Sequence, residues 1–465
     1  MSAGQLFARH ALLPAGWARD VLLAWDAQGV FTAVTPIGSP GVDVVPDASV
    51  PHAAGPVLPG MPNLHSHAFQ RGFAGLAEYR SVTQDDDPAG GDSFWSWRVL
   101  MYRFALRLTP DALEAIATQL YIEMLRAGYT SVCEFHYLHH APDGRPYADP
   151  AAMSRALIAA ARETGIRMTL LPVLYMTGGF DERPLGERQR RFGHEVDAYL
   201  KLLDTLRGEA DELLRVGCCL HSLRAVPPGP MREVLAALPA DSRVHVHIAE
   251  QVAEVEDCLA VRKARPVQWL LDNAQVDERW TLVHATHLDE AEVQGIARSG
   301  ATVAICTTTE ANLGDGFFPL RDYLDAGGFW GVGSDSHISV SPVEELRWLE
   351  YGQRLLTRRR NIAVSEASSS VGETLLRDVV ASASRSTGFD QASLDGDTLT
   401  LDSDAPALAG ASDEDCIDRW LFSGNRSVLR EVHVGGRQVV ADGRHREHAA
   451  IAARYGRTLR ALLAD

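Results

Sequence analysis

The stretch GMPNLHSHAFQ at residues 60–70 is the most informative part of this sequence for predicting the fold. It closes an apolar run that predicts a buried strand over residues 57–65, with His65 and His67 two positions apart at its end. Because side chains alternate along a strand, both imidazoles leave the same face. An isolated His-x-His pair can also be a hydrogen-bonded pair in a core, but its place at the end of a strand favours a metal site.

Short apolar runs continue outward from this strand, each followed by a longer amphipathic stretch, from about residue 56 to residue 360. The predicted strands cover residues 57–65, 129–136, 167–175, 214–221, 243–249, 280–286, 301–307 and 330–335. The helical stretches include residues 110–127, 151–164, 185–207, 229–238, 288–298 and 342–358. Eight β-then-α units in series are the pattern of a (β/α)8 TIM barrel, whose active site lies at the carboxyl ends of the strands.

The two ends of the chain differ from this central pattern. Residues 5–55 and 427–443 have the pattern of short strands joined by Gly and Pro turns, and we expect them to form one small β-sandwich beside the barrel. A closing helix is predicted over about residues 446–463, and the Asp-, Ser- and Gly-rich segment 388–416 is predicted to form loops. The fold class is therefore α/β, with predicted domain boundaries at 1–56, 57–385 and 386–465.

Bulk composition limits the function classes. The 465 residues suffice for a barrel and a smaller module, and the formal net charge of −17 argues against sequence-independent nucleic-acid binding. Six cysteines without a CxxC pair indicate reduced thiols, and the first 30 residues lack the pattern of a secretion signal. No apolar run reaches the roughly 18 residues of a transmembrane helix. We therefore expect a cytoplasmic protein without membrane or nucleic-acid partners.

Three further predicted strands end in side chains that could join the histidine pair. His247 ends the fifth strand in HVHIAE and is followed by Glu250, whereas His284 and Asp335 end the sixth and eighth strands. His245 shares the face of His247 but lies one layer deeper, where a packed, hydrogen-bonded histidine is the favoured interpretation. Imidazole nitrogens and a carboxylate together suit Zn²⁺ or a similar borderline ion.

This set of strand-end residues, spread over about residues 56–360, resembles the amidohydrolase superfamily. The resemblance implies that the metal ligands are His65, His67, His247 and Asp335. It also implies that Glu250 and His284 are the acid–base residues. Asp335 can in addition take the proton of the attacking water, so Glu250, His284 and Asp335 are the expected catalytic residues.

The number of metal ions is predicted from the fourth strand. In superfamily members with two metals, a carboxylated Lys, or sometimes a Glu, ends that strand and bridges the ions. Here the strand reads RVGCCLHSLR, and neither Lys201 nor Lys263 lies near it. One divalent ion per subunit is therefore expected, with Zn²⁺ as the default and Fe²⁺, Co²⁺ or Mn²⁺ as alternatives.

Within the superfamily, PNLHSHAFQR, HSLRAV, HVHIAEQ and GSDSH resemble the formimidoylglutamate deiminases of histidine degradation, over nearly the whole chain. The resemblance implies hydrolysis of N-formimino-L-glutamate to N-formyl-L-glutamate and ammonia by a homodimer. This dicarboxylate needs cationic partners, and bidentate Arg–carboxylate pairing makes Arg224, just beyond strand four, the leading candidate. The resemblance supports Arg224 and also points to Gln70, Arg98 and Tyr137 as substrate-binding residues, with an exposed or packing role as the alternative for Arg98 and Tyr137. His221, three residues before Arg224, could also reach the pocket.

Two features leave alternatives open. The segment 79–100 has the length and composition of a long loop, which could be a lid or only a solvated acidic loop. A second hypothesis is a mononuclear amidohydrolase deaminase acting on a nucleobase or related ring, and a third is a non-enzymatic barrel scaffold. Arg224 separates the first two, because a neutral base does not call for an Arg clamp. The scaffold is disfavoured because the chain keeps every expected ligand together with Glu250.

Overall fold

The computed structural model describes residues 4–27, 29–37, 49–79 and 94–464. In chain order the strands are β1 (Gly4–Leu13), β2 (Gly16–Trp25), β3 (Phe31–Pro36), β4 (Val57–Pro59), β5 (Met61–Ser66), β6 (Tyr129–His136), β7 (Arg167–Leu174), β8 (Leu214–Val216), β9 (Cys218–Ser222), β10 (Val244–Ile248), β11 (Trp280–His284), β12 (Thr302–Ile305), β13 (Phe329–Val332), β14 (Thr398–Leu401), β15 (Leu429–Val434), β16 (Arg437–Ala441) and β17 (Arg444–His445).

The α-helices are α1 (Phe94–Ala105), α2 (Pro110–Ala127), α3 (Ala152–Thr164), α4 (Val196–Arg207), α5 (Pro228–Ala237), α6 (Val252–Arg262), α7 (Pro266–Asn273), α8 (Glu290–Ser299), α9 (Thr307–Leu313), α10 (Leu320–Asp325), α11 (Pro342–Thr357), α12 (Val371–Thr387), α13 (Gln391–Asp395), α14 (Cys416–Phe422) and α15 (His448–Leu463). Short 3-10 helices cover Ala68–Phe73, Glu187–Phe192 and Pro406–Leu408. Within the described residues, none of the helices is both long and apolar enough to cross a membrane.

The predicted barrel is confirmed. Strands β5, β6, β7, β9, β10, β11, β12 and β13 pair in that order, all parallel, with helices between them. The ring closes at Asp335, which forms a single parallel bridge with Ser66. There the Asp335 N–H donates to the His65 carbonyl over 3.0 Å, and the His67 N–H donates to the Asp335 carbonyl over 3.1 Å.

Helix α2 shows how local sequence sets the boundaries of the elements. Its N-cap Thr109 accepts the Ala112 N–H, Pro110 occupies the first turn, and Gly128 ends the helix at φ 111°. A side-chain cap, a first-turn proline and a left-handed glycine are the ordinary start and stop signals of a helix. The prediction of a helix over 110–127 is therefore confirmed at both ends.

One predicted barrel strand is wrong in its first half. The run 57–65 forms two strands: β4 joins the second sheet, and only β5 belongs to the barrel. Gly60 lies between them. A side chain is excluded at this position, because a Cβ would lie 2.3 Å from the Thr130 Oγ1 and 3.0 Å from the Asp397 Cβ. The chain crosses between two packed sheets at a point where only hydrogen fits, and an apolar pattern alone does not show such a crossing.

The second sheet combines both ends of the chain, as predicted. Its strand order is β17, β16, β15, β14, β4, β1, β2 and β3. The ring of Trp25 in β2 lies 5.8 Å from that of His433 in β15, although β14, β4 and β1 separate the two strands in the sheet. The sheet therefore curves until strands near its two edges meet, as in a small sandwich.

The prediction of loops over 388–416 is wrong in part. Helix α13 and strand β14 lie within this segment, and β14 pairs antiparallel with both β4 and β15. Residues 398–401 are buried, but the run is only four residues long between Gly- and Asp-rich neighbours. Its strand conformation comes from partners far away in the sequence, which a local pattern does not reveal.

The carboxyl end of helix α12 packs against the amino-terminal end of the barrel. His245 donates from Nε2 to the Ser386 carbonyl over 3.0 Å, and Thr281 donates to the Ser386 hydroxyl over 2.9 Å. The Thr169 hydroxyl donates to the Thr387 carbonyl over 2.6 Å. These contacts support the interpretation of His245 as a packed barrel histidine. It lies toward the end of the barrel opposite to the carboxyl ends of the strands.

A buried ion pair joins the barrel to the second sheet. Arg167, at the start of β7, donates from Nε to the Asp397 carboxylate over 3.0 and 3.2 Å, and the Gly435 N–H donates to the same carboxylate over 2.7 Å. Both charged side chains are at most 2% exposed. Burial raises the pKa of Asp397, and Arg167 opposes that shift.

We expect Arg167→Ala to lower the free energy of unfolding by about 3–5 kcal/mol, because it leaves a buried carboxylate without its cation. Urea denaturation followed by circular dichroism measures the change. Arg183→Ala is the matched control, since Arg183 pairs with Asp181 on the surface, where the side chains are 59% and 56% exposed. That control should change stability by less than about 1 kcal/mol. Equal effects of the two variants would contradict the structural role of the buried pair.

Candidate active site

Three histidines meet at the carboxyl end of the barrel. The Nε2 atom of His65 lies 3.2 Å from that of His67 and 3.0 Å from that of His247. The Asp335 Oδ1 atom is 3.3 Å from both the His65 and the His67 Nε2 atoms. The structure thus brings together all four residues that the sequence predicted as metal ligands.

The backbone orients two of these imidazoles. His67 donates from Nδ1 to the Phe135 carbonyl over 2.8 Å, and His247 donates from Nδ1 to the His221 carbonyl over 3.0 Å. A ring that donates from Nδ1 presents a lone pair at Nε2, so both lone pairs point into the cluster. Burial lowers the pKa of His65, His67 and His247, which favours their neutral forms.

This donor set fits a divalent cation. Ligand nitrogens at about 2.1 Å from a tetrahedral ion would be roughly 3.4 Å apart, close to the observed separations. The unprotonated Nε2 atoms of His67 and His247 and the Asp335 carboxylate carry like charge, and a cation between them would relieve their repulsion. The chemistry of the side chains and their spacing therefore agree with a metal site.

The backbone near the site adopts unusual conformations at several positions. Ala249, His284 and Asp335 have φ values of 52°, 69° and 42°, in the left-handed region that non-glycine residues rarely occupy. Each lies at or just after the end of a barrel strand. Such conformations persist only where the surrounding structure enforces them, and they concentrate at functional sites.

A second group of titratable side chains lies beside the histidine cluster. The His284 Nε2 atom is 3.7 Å from the Glu250 Oε1 atom and 4.0 Å from the Asp335 Oδ2 atom. Burial alone would lower the pKa of His284, but Glu250, Glu310 and Asp335 raise it to about 10. Burial raises the pKa of Glu250. A cationic imidazole between acidic groups can both hold a proton and pass it on.

A buried carboxylate supports the turn after the histidine pair. Glu134 accepts hydrogen bonds from the Ser66 hydroxyl over 2.6 Å, the Ala68 N–H over 2.6 Å and the Tyr121 hydroxyl over 3.1 Å. Burial raises the pKa of Glu134 to about 7. His337 is buried and contacts the Ser334 and Ser66 hydroxyls. These contacts fix the strand ends that carry His65, His67 and Asp335.

The five predicted substrate-binding residues line one cavity with the histidine cluster. That cavity is bordered by Gln70, Arg98, Tyr137, His221 and Arg224, together with His67, His247, Glu250, His284 and Asp335. Burial lowers the pKa of Arg98, and its guanidinium lies 5.6 Å from the centre of the Tyr102 ring. The cavity is thus lined by two arginines and by three of the four expected metal ligands, His67, His247 and Asp335.

Gln70 presents an unused polar atom to this cavity. Its Nε2 donates to the Tyr137 hydroxyl over 2.8 Å, while its buried Oε1 finds no hydrogen-bond partner within the described part of the chain. A buried amide oxygen without a partner is costly, so this atom is suited to accept an N–H from a ligand.

Other lining residues were not predicted. They include Trp97, Met101, Tyr102, Tyr175, Phe192 and Glu254. Trp97, Arg98, Met101 and Tyr102 share one face of α1, so helical spacing could have grouped them had residues 94–100 not been assigned to a loop. That assignment is wrong for 94–100, because they begin α1, and residues 80–93 of the suggested lid lie outside the described residues. No local signal marks Tyr175 or Phe192.

Comparison with known proteins agrees with this geometry. The sequence pattern of the amidohydrolase family matches residues 57–372. The chain is 51% identical over 448 residues to a formimidoylglutamate deiminase from Pseudomonas aeruginosa, and the alignment covers 95% of each protein.

Solved structures give the same result. An amidohydrolase from Brucella melitensis superposes with a TM-score of 0.91 at 41% identity, covering 99% of this chain and 100% of that one. A zinc-containing adenosine deaminase from Xanthomonas campestris superposes with a TM-score of 0.79 at 20% identity, covering 99% and 98%, and supports the fold alone. By its sequence, its barrel and its strand-end residues, the chain belongs to the amidohydrolase family.

Proposed function

We propose that this protein hydrolyses N-formimino-L-glutamate to N-formyl-L-glutamate and ammonia. One observation carries the proposal: a single cavity is lined by three of the four expected ligands, His67, His247 and Asp335, and by two arginines, Arg98 and Arg224. The ion suits hydrolysis of a C–N bond, and the arginines suit a dicarboxylate. The Pseudomonas relative, which is named as a formimidoylglutamate deiminase, supports the same reaction.

One divalent ion per subunit is part of the proposal, held by His65, His67, His247 and Asp335. The ligand types favour Zn²⁺. When bound, such an ion lowers the pKa of water and so supplies a hydroxide nucleophile at neutral pH. A second set of close ligand atoms belongs to His284, Cys306 and Glu310. Burial raises the pKa of the Cys306 thiol, and a protonated thiol is a poor ligand, so a second ion is disfavoured there.

The acidic residues of the site would manage the protons of the reaction. Asp335 can accept the proton of the attacking water, and His284 can hold the attacking oxygen by a hydrogen bond from Nε2. Attack on the formimino carbon would form the new C–O bond and turn the C=N bond to the terminal nitrogen into a single bond. Collapse of this tetrahedral adduct would form the formyl C=O and break that C–N bond, with both protons of the original water passing to the terminal nitrogen. Glu250 can protonate that nitrogen, so that it leaves as ammonia rather than as an amide anion.

The cavity residues outside the metal site would bind the glutamate portion of the substrate. Arg224 and Arg98 can each pair with a carboxylate, and the hydroxyl of Tyr137 and the ring of His221 can add hydrogen bonds. Gln70 Oε1 can accept an N–H of the formimino group. A neutral nucleobase offers no carboxylate to these guanidinium groups, whereas N-formimino-L-glutamate offers two, which favours the dicarboxylate over a ring substrate.

An ammonia-release assay tests the proposal. Wild-type protein should release ammonia from N-formimino-L-glutamate and not from guanine or cytosine. Arg224→Ala should raise KM for the dicarboxylate by about 10²-fold, because truncating one partner of a hydrogen-bonded charge pair costs about 2–5 kcal/mol of binding. The exposed Arg232→Ala on α5 is the control and should leave KM unchanged. Unaltered KM in Arg224→Ala would reject the clamp, and activity only on the bases would reject the function.

A cytoplasmic homodimer completes the proposal. All six cysteines are buried and unpaired, which suits a reducing compartment. Exposed apolar side chains on α11, including Trp348, Tyr351 and Leu355, could contribute to a subunit interface. Light scattering after gel filtration would reject the dimer if it returned a mass near the 50.6 kDa of one chain.

A further inference from the structure

Glu310 lies behind His284 and contacts the ring nitrogen that faces away from Glu250. This carboxylate is 2% exposed. Its Oε1 atom is 3.3 Å from the His284 Nδ1 atom and also accepts the Cys306 N–H over 2.9 Å. Sequence reasoning did not single out Glu310, because it lies on a short helix after a strand without site residues of its own.

The start of helix α9 is fixed by contacts from three consecutive residues. Thr308 donates its N–H to Glu345 over 3.0 Å. The Thr309 hydroxyl lies 2.9 Å from the Ser336 hydroxyl and accepts the Ser336 N–H over 3.2 Å. Glu310 then contacts His284. Because these bonds tie α9 to α11 and to the turn after Asp335, the position of the Glu310 carboxylate is well determined.

This contact fixes the role of the His284 Nδ1 atom. An ionised carboxylate only accepts hydrogen bonds, so the Nδ1 atom must be the donor. The Nε2 atom is then the one directed at Glu250 and Asp335, at 3.7 and 4.0 Å. A carboxylate behind a histidine holds its ring in one orientation. The left-handed backbone of His284 makes such support more necessary.

We propose that Glu310 is a positioning residue for the deimination, which holds the ring of His284 in the orientation that presents Nε2 to the reacting atoms. This inference rests on the proposed function. Glu310 itself would touch neither substrate nor metal, so its removal should affect turnover more than binding. The amide of glutamine keeps the size of the side chain but has no charge and offers a donor as well as an acceptor.

The test is steady-state kinetics of Glu310→Gln on N-formimino-L-glutamate, with metal content and melting temperature measured on the same sample. We expect kcat to fall on the order of 10²-fold, the lower end for loss of a proton-transfer group. KM, inhibition by N-formyl-L-glutamate and metal content should stay at wild-type values. A general structural defect would instead alter binding and metal content together with kcat.

Glu345→Gln is the matched control. Glu345 is equally buried, supports the same turn through Thr308 and does not contact His284. Burial raises the pKa of Glu345 well above its usual range, so the glutamine is close to an isostere of the protonated acid. That variant should keep kcat. If Glu310→Gln does not fold, Glu310→Asp replaces it; the shorter carboxylate should lower kcat with KM retained, and a wild-type kcat would overturn the proposal.

The outcomes distinguish a failure of the proposed function from a failure of the role assigned to Glu310. Wild-type protein that releases no ammonia would overturn the proposed function and this inference with it. Active wild type with a fully active Glu310→Gln would overturn only the role of Glu310. An equal loss of kcat in Glu310→Gln and Glu345→Gln would also overturn it, because the effect would then belong to α9 as a whole.

Discussion

Removal of the divalent ion should abolish ammonia release, and His247→Gln should do the same without a chelator. Water has a pKa of about 15.7 and a bound ion brings it to about 7, so without the ion almost no hydroxide is available at neutral pH. Wild-type protein dialysed against a chelator should lose its activity to the background of the assay. Added Zn²⁺ should restore it in wild type and not in His247→Gln.

The neighbouring histidine on the same strand provides the control. His245→Gln removes an imidazole two residues away that donates to the Ser386 carbonyl at the far end of the barrel. Elemental analysis should find about one ion per chain in wild type and in His245→Gln, the stoichiometry of a mononuclear site, and almost none in His247→Gln. About one ion per chain in His247→Gln would contradict the role of His247 as a ligand. About two ions per chain in the wild type would contradict the mononuclear site.

Glu250→Gln should lower kcat by about 10²–10⁴-fold, the range for loss of a general acid or base. The substitution keeps the shape of the side chain beside His284 but removes its ability to give a proton to the departing nitrogen. Rapid-quench or coupled ammonia detection measures kcat, and metal content should remain that of wild type. The contact of 3.7 Å with His284 is the observation on which this prediction depends.

Glu256→Gln, on the exposed side of α6, is the control for a lost charge in the same segment. It should keep the wild-type kcat. A Glu250→Gln variant that retains more than about a tenth of kcat would remove Glu250 from the proton path, since such a loss lies below the range for acid–base catalysis.

The strand-end residues could be predicted because two regularities act together. Alternation along a strand places His65 and His67 on one face, and a parallel barrel gathers the ends of all its strands at one side. His247, His284 and Asp335 follow from the same two rules. No knowledge of the helices was needed to group them, and the structure brings their ligand atoms within a few ångströms.

The walls of the cavity could not be predicted in the same way. Tyr102 and Trp97 reach it from α1, Phe192 from a 3-10 helix and Tyr175 from just beyond β7, and no shared period relates these positions. Strand β14 was missed for a related reason, because its conformation depends on pairing with residues more than 300 positions away. Where a partner is remote, short segments carry too little information to identify their own structure.

The seam between β5 and β13 runs through the candidate metal site. Neighbouring barrel strands are joined by ladders of several pairs, whereas the described residues of this seam share one bridge, Ser66 with Asp335. His65 and His67 stand on one side of it and Asp335 on the other. A cation bound by residues on both sides would link the two barrel strands that share the fewest backbone pairs. Local opening of the barrel at this seam would then become rarer as the concentration of the free ion rises.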